Sequence, residues 1–383
     1  MSVTAARGFR AAGVTAGLKA SGSPDLALVV NDGPGLDAAG VVTGNRIKAA
    51  PVLWTEQVLL GGALRAVVLN SGGANACTGP DGFADTHRTA EHVAAGLACG
   101  AGEVAVCSTG LIGERLLMDR LLSGVDKAVA ALSAAGGDDA AEAIRTTDTR
   151  AKQSVANDHG VTVGGMAKGA AMLAPGLATM LCVLTTDAVA DAETLDRVLR
   201  AATRTTFDRV DTDGCMSTND TVLLLASGAS QLRPTESELA ALVTIVCRDL
   251  AAQLVADAEG ASKDIVIEVV NAADEDDAVE VARAVARSNL LKCAIHGEDP
   301  NWGRVLAAAG TTSAAFEPDA IDVAFNGVWV CRAGAIGAER SLVDLAGRRV
   351  VITVDLHAGV ANAQLLTTDL TAAYVHENSA YST

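Results

Sequence analysis

Apolar and polar positions recur along this chain with two different periods, and the changes of period mark its elements. Short apolar runs bounded by Asn, Asp and Gly, at Leu26 to Val30, Ala66 to Leu69 and Val104 to Cys107, read as buried strands. The run Met180 to Leu184 reads the same way. Val350, Ile352, Val354 and Leu356 alternate with Thr353, Asp355 and His357, the pattern of an antiparallel strand with one wet face. Helical spacing governs Asp85 to Leu97, Leu122 to Ala134, Ala140 to Arg145 and Asp191 to Phe207. The clearest helix is Thr235 to Ala258: Thr235 and Glu238 form a capping box after Pro234, and Leu239, Leu242, Val243, Val246, Leu250 and Leu254 recur on one face. Leu53 to Gly61 fits a helix or irregular chain equally well, and residues 151 to 160 are polar and hairpin-like. Ile265 to Val270, Asp274 to Ser288 and Leu290 to Ile295 then alternate as strand, helix and strand. The expected fold is therefore α/β, with layered helices and mixed sheets.

Composition narrows the class. A chain of 383 residues can bury a large core, in two domains or two packed halves. It is 50% hydrophobic but only 3% aromatic, so Ala, Val and Leu must fill that core. A formal charge of -17, with no cluster of Lys and Arg, argues against binding nucleic acid through phosphates. The eight cysteines show no CxxC and no metal-ligand spacing with the six histidines; most lie in apolar runs, as buried free thiols of a reducing cytoplasm do. Met1 to Lys19 has no sustained apolar core, and no run reaches the ~18 apolar residues that span a bilayer. A cytoplasmic protein is expected. Asp211 to Thr221 carries several carboxylates, but Gly214 falls too early for a calcium loop and no Glu closes it. It reads as scaffold, and no metal is assigned.

Three small-residue stretches could carry chemistry. Asn70 to Gly79, rich in Gly and Asn, follows the second strand and fits a pocket lining as well as a plain turn. Ser108-Thr109-Gly110 ends the next strand and can aim one hydroxyl and one unhindered N–H at a single point, as an oxyanion requires; turn chemistry alone would explain it too. The third stretch, Val161 to Asp187, narrows through Pro175 and Gly176 and delivers Thr179 into an apolar run. Attack of Thr179 Oγ on the Ala178 carbonyl would convert the amide to an ester by an N-to-O acyl shift. Water would then release a chain starting at Thr179, whose new α-amine, with a reference pKa near ~8, is a built-in base. Threonine is common at strand starts, so the local pattern alone does not decide this. His296 and Asp299 share a tight Gly/Pro loop with no evident serine partner and read as structural.

Gly164-Gly-Met-Ala-Lys-Gly169, Met172-Leu-Ala-Pro175, Ala178-Thr-Met-Leu181 and Thr185-Thr-Asp187 resemble the ornithine acetyltransferase (glutamate N-acetyltransferase) family, the self-processing enzymes of cyclic arginine biosynthesis. Asn70 to Gly79, Asp211 to Thr221, Glu259-Gly-Ala-Ser-Lys263 and His296 to Arg304 extend the resemblance from Arg7 to the last residue. Gly73, where many members carry Asn, is a small departure. The resemblance implies acetyl transfer from N-acetylornithine to glutamate through an acetyl-Thr179 intermediate. It implies cleavage between Ala178 and Thr179 into an α fragment (1–178) and a β fragment (179–383), intertwined in an N-terminal-nucleophile-like fold and assembled as a heterotetramer. Thr179 is then the nucleophile, while the Thr109 side chain and the Gly110 amide form the oxyanion hole. Thr146, favoured over Thr147, contacts substrate, as do Glu259, which would hold a ligand ammonium, and Asn378 and Thr383 at the chain end. Lys168 is the natural partner of an amino acid α-carboxylate, with an exposed structural lysine as the alternative. No cofactor is expected; acetyl-CoA stays open as a second donor, although no recognisable coenzyme A loop is visible. A self-processing amidase or aminopeptidase would share these catalytic atoms and use water as acceptor, whereas a non-catalytic scaffold would keep its chain intact.

Overall fold

The computed structural model describes residues 2–174 and 180–380. The chain forms two compact units, one comprising residues up to Asp208 and Cys215 to Leu254, the other Arg209 to Gly214 and the residues from Val255 onward.

The first unit runs β1 (Phe9–Val14), β2 (Leu26–Asn31), β3 (Ala38–Val42), α1 (Ala50–Leu59), β4 (Ala66–Asn70), α2 (Gly79–Leu97), β5 (Val104–Ser108), α3 (Met118–Ala131), α4 (Gly137–Ala143), β6 (Lys152–Asp158), β7 (Val161–Lys168), β8 (Leu181–Thr186), α5 (Ala192–Thr205), β9 (Thr221–Ala226) and α6 (Glu236–Ala256). Its strands make two sheets, ordered β1-β2-β4-β5 and β3-β9-β8-β7-β6. Each contains one parallel pair, β4 with β5 and β8 with β9, among antiparallel neighbours. The sheets share a core in which Phe9, Val29, Val67, Leu69 and Cys107 meet Met166, Leu181, Val183, Leu223 and Leu225. The other face of the first sheet is covered as well, by Ala90 and Val93 of α2 and Leu121 and Val125 of α3. Burial on both faces is why β2, β4, β5 and β8 are continuous apolar runs without alternation.

On the second sheet, α6 approaches β7 at Gly165, where a Cβ would stand 2.7 Å from Leu184 and 3.0 Å from Val246. Only glycine leaves room for that contact. By length and composition α6 could cross a membrane, although Arg248 and Asp249 interrupt its apolar run. Its row Leu239, Val243, Val246, Leu250 and Leu254 is buried in protein, as in a core helix. The polar segment 151–160 is a hairpin as expected, β6 and β7 being joined by His159 and Gly160, both with positive φ, as a two-residue turn demands.

The second unit runs β10 (Asp264–Ala272), α7 (Glu275–Ala286), α8 (Asn289–His296), α9 (Trp302–Ala309), β11 (Asp322–Phe325), β12 (Val328–Arg332), β13 (Ala335–Ile336), β14 (Arg349–Asp355), β15 (Ala361–Thr368) and α10 (Ala372–Ala380). The strands form one mixed sheet, β13-β12-β11-β14-β10-β15. Val281, Val285, Leu291, Ile295 and Val305 of α7, α8 and α9 pack against Ile267, Val269, Phe325, Ile352 and Val354.

Two readings need correction here. Leu290 to Ile295 is the helix α8, not a strand: the Ser288 hydroxyl accepts the Leu291 N–H and starts a turn, and a six-residue apolar run cannot by itself distinguish the two. The alternating segment at 350–356 is a strand, but an interior one, parallel to β10 and antiparallel to β11.

Candidate active site

The Thr109-Gly110 loop leaves the C-terminal end of β5 beside the end of β4, because the parallel register sets Ser108 next to Asn70. Thr109 N–H bonds Asn70 O at 2.9 Å, and Gly73 N–H bonds Thr109 O at 3.0 Å. The Asn70 side chain ties the turn together, donating to Gly73 O at 2.9 Å and accepting from Ser108 Oγ at 2.5 Å. Asn219, at the foot of β9, donates to Ser108 O at 2.8 Å and to Ala74 O at 2.6 Å. Gly110 has φ +128°, and a Cβ there would stand 2.8 Å from Gly73 N. The loop therefore requires glycine, which also leaves its N–H unhindered.

Lys168, at the end of β7, reaches the same point: its Nζ donates to Thr109 Oγ1 at 3.2 Å. That bond occupies a lone pair of the hydroxyl and leaves its proton available for donation. Lys168 is 3% exposed, so it is no surface lysine. Below it lies a buried ion pair that the sequence did not signal. Asp148 Oδ1 accepts from Lys152 Nζ at 2.6 Å and from Gly169 N–H at 2.7 Å, and Oδ2 accepts from Thr146 N–H at 3.0 Å. Burial works to raise the Asp148 carboxyl, but Lys168, Lys152 and the Gly169 N–H outweigh it and hold it at about 2. One carboxylate thus fixes both the residue after Lys168 and the backbone of half-buried Thr146.

Ala178 and Thr179 lie outside the described residues, as does Thr383. The chain resumes at Met180, whose N–H bonds Asp220 Oδ1 at 3.1 Å. A separate cleft of about 780 Å³ along β3, rimmed by Lys48, Glu56, Arg197 and Arg200, shares no residue with this cluster.

In the second unit, Asn378 Nδ2 donates to Glu259 Oε2 at 3.0 Å. The chain end is not frayed at this point: α10 packs on Gly260, where a Cβ would stand 2.2 Å from Tyr374 N, and Thr371 Oγ1 bonds Gly260 O at 2.6 Å. His296 pairs through Nδ1 with Asp369 at 3.0 Å, not with Asp299, and Ser262 Oγ lies 3.2 Å from that same nitrogen. Serine and carboxylate therefore compete for one ring nitrogen. A relay of the Ser-His-Asp type needs them on opposite nitrogens, so Ser262, His296 and Asp369 do not form one. Among the described residues, no group of three or more His, Cys, Asp or Glu is placed to hold a metal.

Comparison with known proteins shows the family. The ArgJ family description matches residues 10–383. The arginine biosynthesis bifunctional protein ArgJ of Streptomyces avermitilis is 70% identical over 382 residues, covering 100% of both chains. Its counterpart in Mycobacterium tuberculosis is 60% identical over 390 residues, covering 99% of this chain and 96% of the other. Among solved structures, the ornithine acetyltransferase of Mycobacterium tuberculosis complexed with ornithine is 63% identical, covering 47% of this chain and 96% of that one, with a TM-score of 0.45. ArgJ of Bacillus halodurans is 34% identical, covering 52% of this chain and 98% of that one, with a TM-score of 0.50. On its sequence, over nearly its whole length, this chain belongs to the ArgJ family.

Proposed function

We propose that the protein transfers an acetyl group from N-acetylornithine to glutamate by a ping-pong route, after cutting itself between Ala178 and Thr179. The observation that carries this reading is the meeting of the Thr109 hydroxyl and the Lys168 ammonium beside the Gly110 amide, in the unit where β8 begins just past Thr179. In the first half-reaction Thr179 Oγ attacks the acetyl carbonyl while its proton passes to the Thr179 α-amine. Thr109 and Gly110 donate to the oxyanion, the C–N bond breaks with return of the proton to the departing ornithine amine, and an acetyl ester of Thr179 remains. The glutamate amine then attacks that ester, and reversal of the steps frees Thr179. Lys168 receives the amino acid α-carboxylate, Thr146 contacts substrate, and Glu259, Asn378 and Thr383 supply further contacts, Glu259 to a ligand ammonium.

The relatives named for arginine biosynthesis and the solved relative bound to ornithine support the substrate class. The Bacillus halodurans chain is accounted for almost entirely by about half of this one, as a chain divided in two would be. Fragments 1–178 and 179–383 then stay associated as a heterotetramer of two α and two β chains, in the cytoplasm. The word bifunctional in the relatives' names favours acetyl-CoA as a second donor to glutamate.

Intact-mass analysis before and after N-acetylornithine tests the proposal. The expected result is two fragments, with one acetyl group gained on 179–383 and lost on addition of glutamate. Uncut chain that still turns over, or equal acetyl release with and without glutamate, overturns it. Thr109→Ala should lower kcat by about 10²–10³ with little change in KM, because one oxyanion donor is lost; steady-state kinetics on the processed variant check this.

A further inference from the structure

Asp220 immediately precedes β9, and its carboxyl is fully enclosed. The parallel register of β8 and β9 sets it beside the start of β8, where Thr221 N–H bonds Met180 O at 3.1 Å. Asp220 Oδ1 accepts the Met180 N–H at 3.1 Å, whereas Oδ2 has no hydrogen-bonding partner among the described residues. An ionised carboxylate buried with one oxygen unpaired is costly, so this environment favours the protonated acid. Burial accordingly pushes Asp220 well above the usual carboxylate range, against the opposing pull of the Met180 N–H, of nearby Ser217 and of the Lys168 charge. A neutral acid still accepts an N–H through its carbonyl oxygen. The amide held in this way is that of Met180, the residue that follows the proposed nucleophile in the chain.

We propose that Asp220 is a positioning residue for both self-processing and acetyl transfer, acting as the hydrogen-bond acceptor that fixes the first amide downstream of the cut. The proposal rests on the reading of Thr179 as the processing nucleophile. Asp220 itself makes and breaks no covalent bond. It holds the Met180 N–H on the downstream side of the reacting residue, so its loss acts on rate and not on substrate affinity.

The test compares Asp220→Asn and Asp220→Ala with the parent chain. Cell-free synthesis is followed by a time course of cleavage read by intact mass, with circular dichroism to confirm folding. Asp220→Asn keeps the acceptor, the volume and the neutrality, and should process within about threefold of the parent. Asp220→Ala loses the acceptor and should be slower by about tenfold or more. Once processed, it should show lowered kcat with KM for N-acetylornithine held within about twofold. Should the alanine chain not fold, Asp220→Leu, close in volume and without an acceptor, takes its place. Cleavage of the alanine or leucine chain at the parent rate overturns the proposal, as does an asparagine chain as slow as alanine or a change confined to KM. A parent chain that never cleaves overturns the processing reading itself, and this proposal with it. Normal cleavage in all variants overturns this proposal alone.

Discussion

Thr179→Ala is expected to yield a single uncut 383-residue chain with no measurable acetyl transfer. Alanine has no oxygen to attack the residue-178 carbonyl, so the acyl shift cannot begin. Without the cut there is no free α-amine, and without the hydroxyl there is no acyl acceptor. One substitution thus removes the processing nucleophile, the catalytic nucleophile and its base, and a loss on the order of 10⁶ in kcat is the scale for such a unit. Thr179→Ser separates the roles, because its primary hydroxyl supports both reactions with altered rates. Intact mass and steady-state kinetics on the same preparations read both. Cleavage at the same bond in the alanine chain, or turnover above about 10⁻⁴ of the parent, would overturn the assignment.

The flanks of this residue explain why the sequence was informative about chemistry before any geometry. The oxyanion loop, the glycine-rich turn at 70–79 and Lys168 sit at strand ends, where turn residues are visible in the sequence. The structure ties all three together through Asn70, Thr109 and Lys168. Local capping was legible for the same reason: Thr235 N–H bonds Glu238 Oε2 at 2.8 Å, and Glu238 N–H returns to Thr235 Oγ1 at 3.3 Å. Long-range polar partners were not legible. Asn219 lay in a segment read only as scaffold, and the role of its amide becomes plain when Ser108, 111 positions earlier, lies against it. Lys152 was read only into a polar hairpin, since a sequence displays charges but not their burial. His296 likewise found its carboxylate in Asp369, 73 positions away, and not in nearby Asp299.

Lys152→Met should destabilise the first unit strongly, because it strips one partner from an ion pair whose side chains are both fully buried. Removing one member of such a pair typically costs about 3–5 kcal/mol, chiefly by stranding the other charge. Here the Gly169 and Thr146 N–H groups and nearby Lys168 still stabilise the carboxylate, so a loss of about 3 kcal/mol is expected. The pH dependence follows from the same residue. With its folded pKa depressed to about 2 from an ordinary 3.8, Asp148 contributes stability that is present above the ordinary value and is lost as pH falls through the folded one. The amount is about 2.5 kcal/mol. In Lys152→Met the carboxyl loses a cation and its pKa rises, so acid loss should begin at higher pH and the neutral-pH Tm should drop. Because Asp148 also positions Gly169 and Thr146, KM for N-acetylornithine should rise more than kcat falls at temperatures where the variant stays folded. Thermal unfolding from pH 7 down to about 2, paired with kinetics at 20 °C, reads both effects; a variant with unchanged Tm at pH 7 would mean that the pair adds nothing over a well-packed apolar side chain.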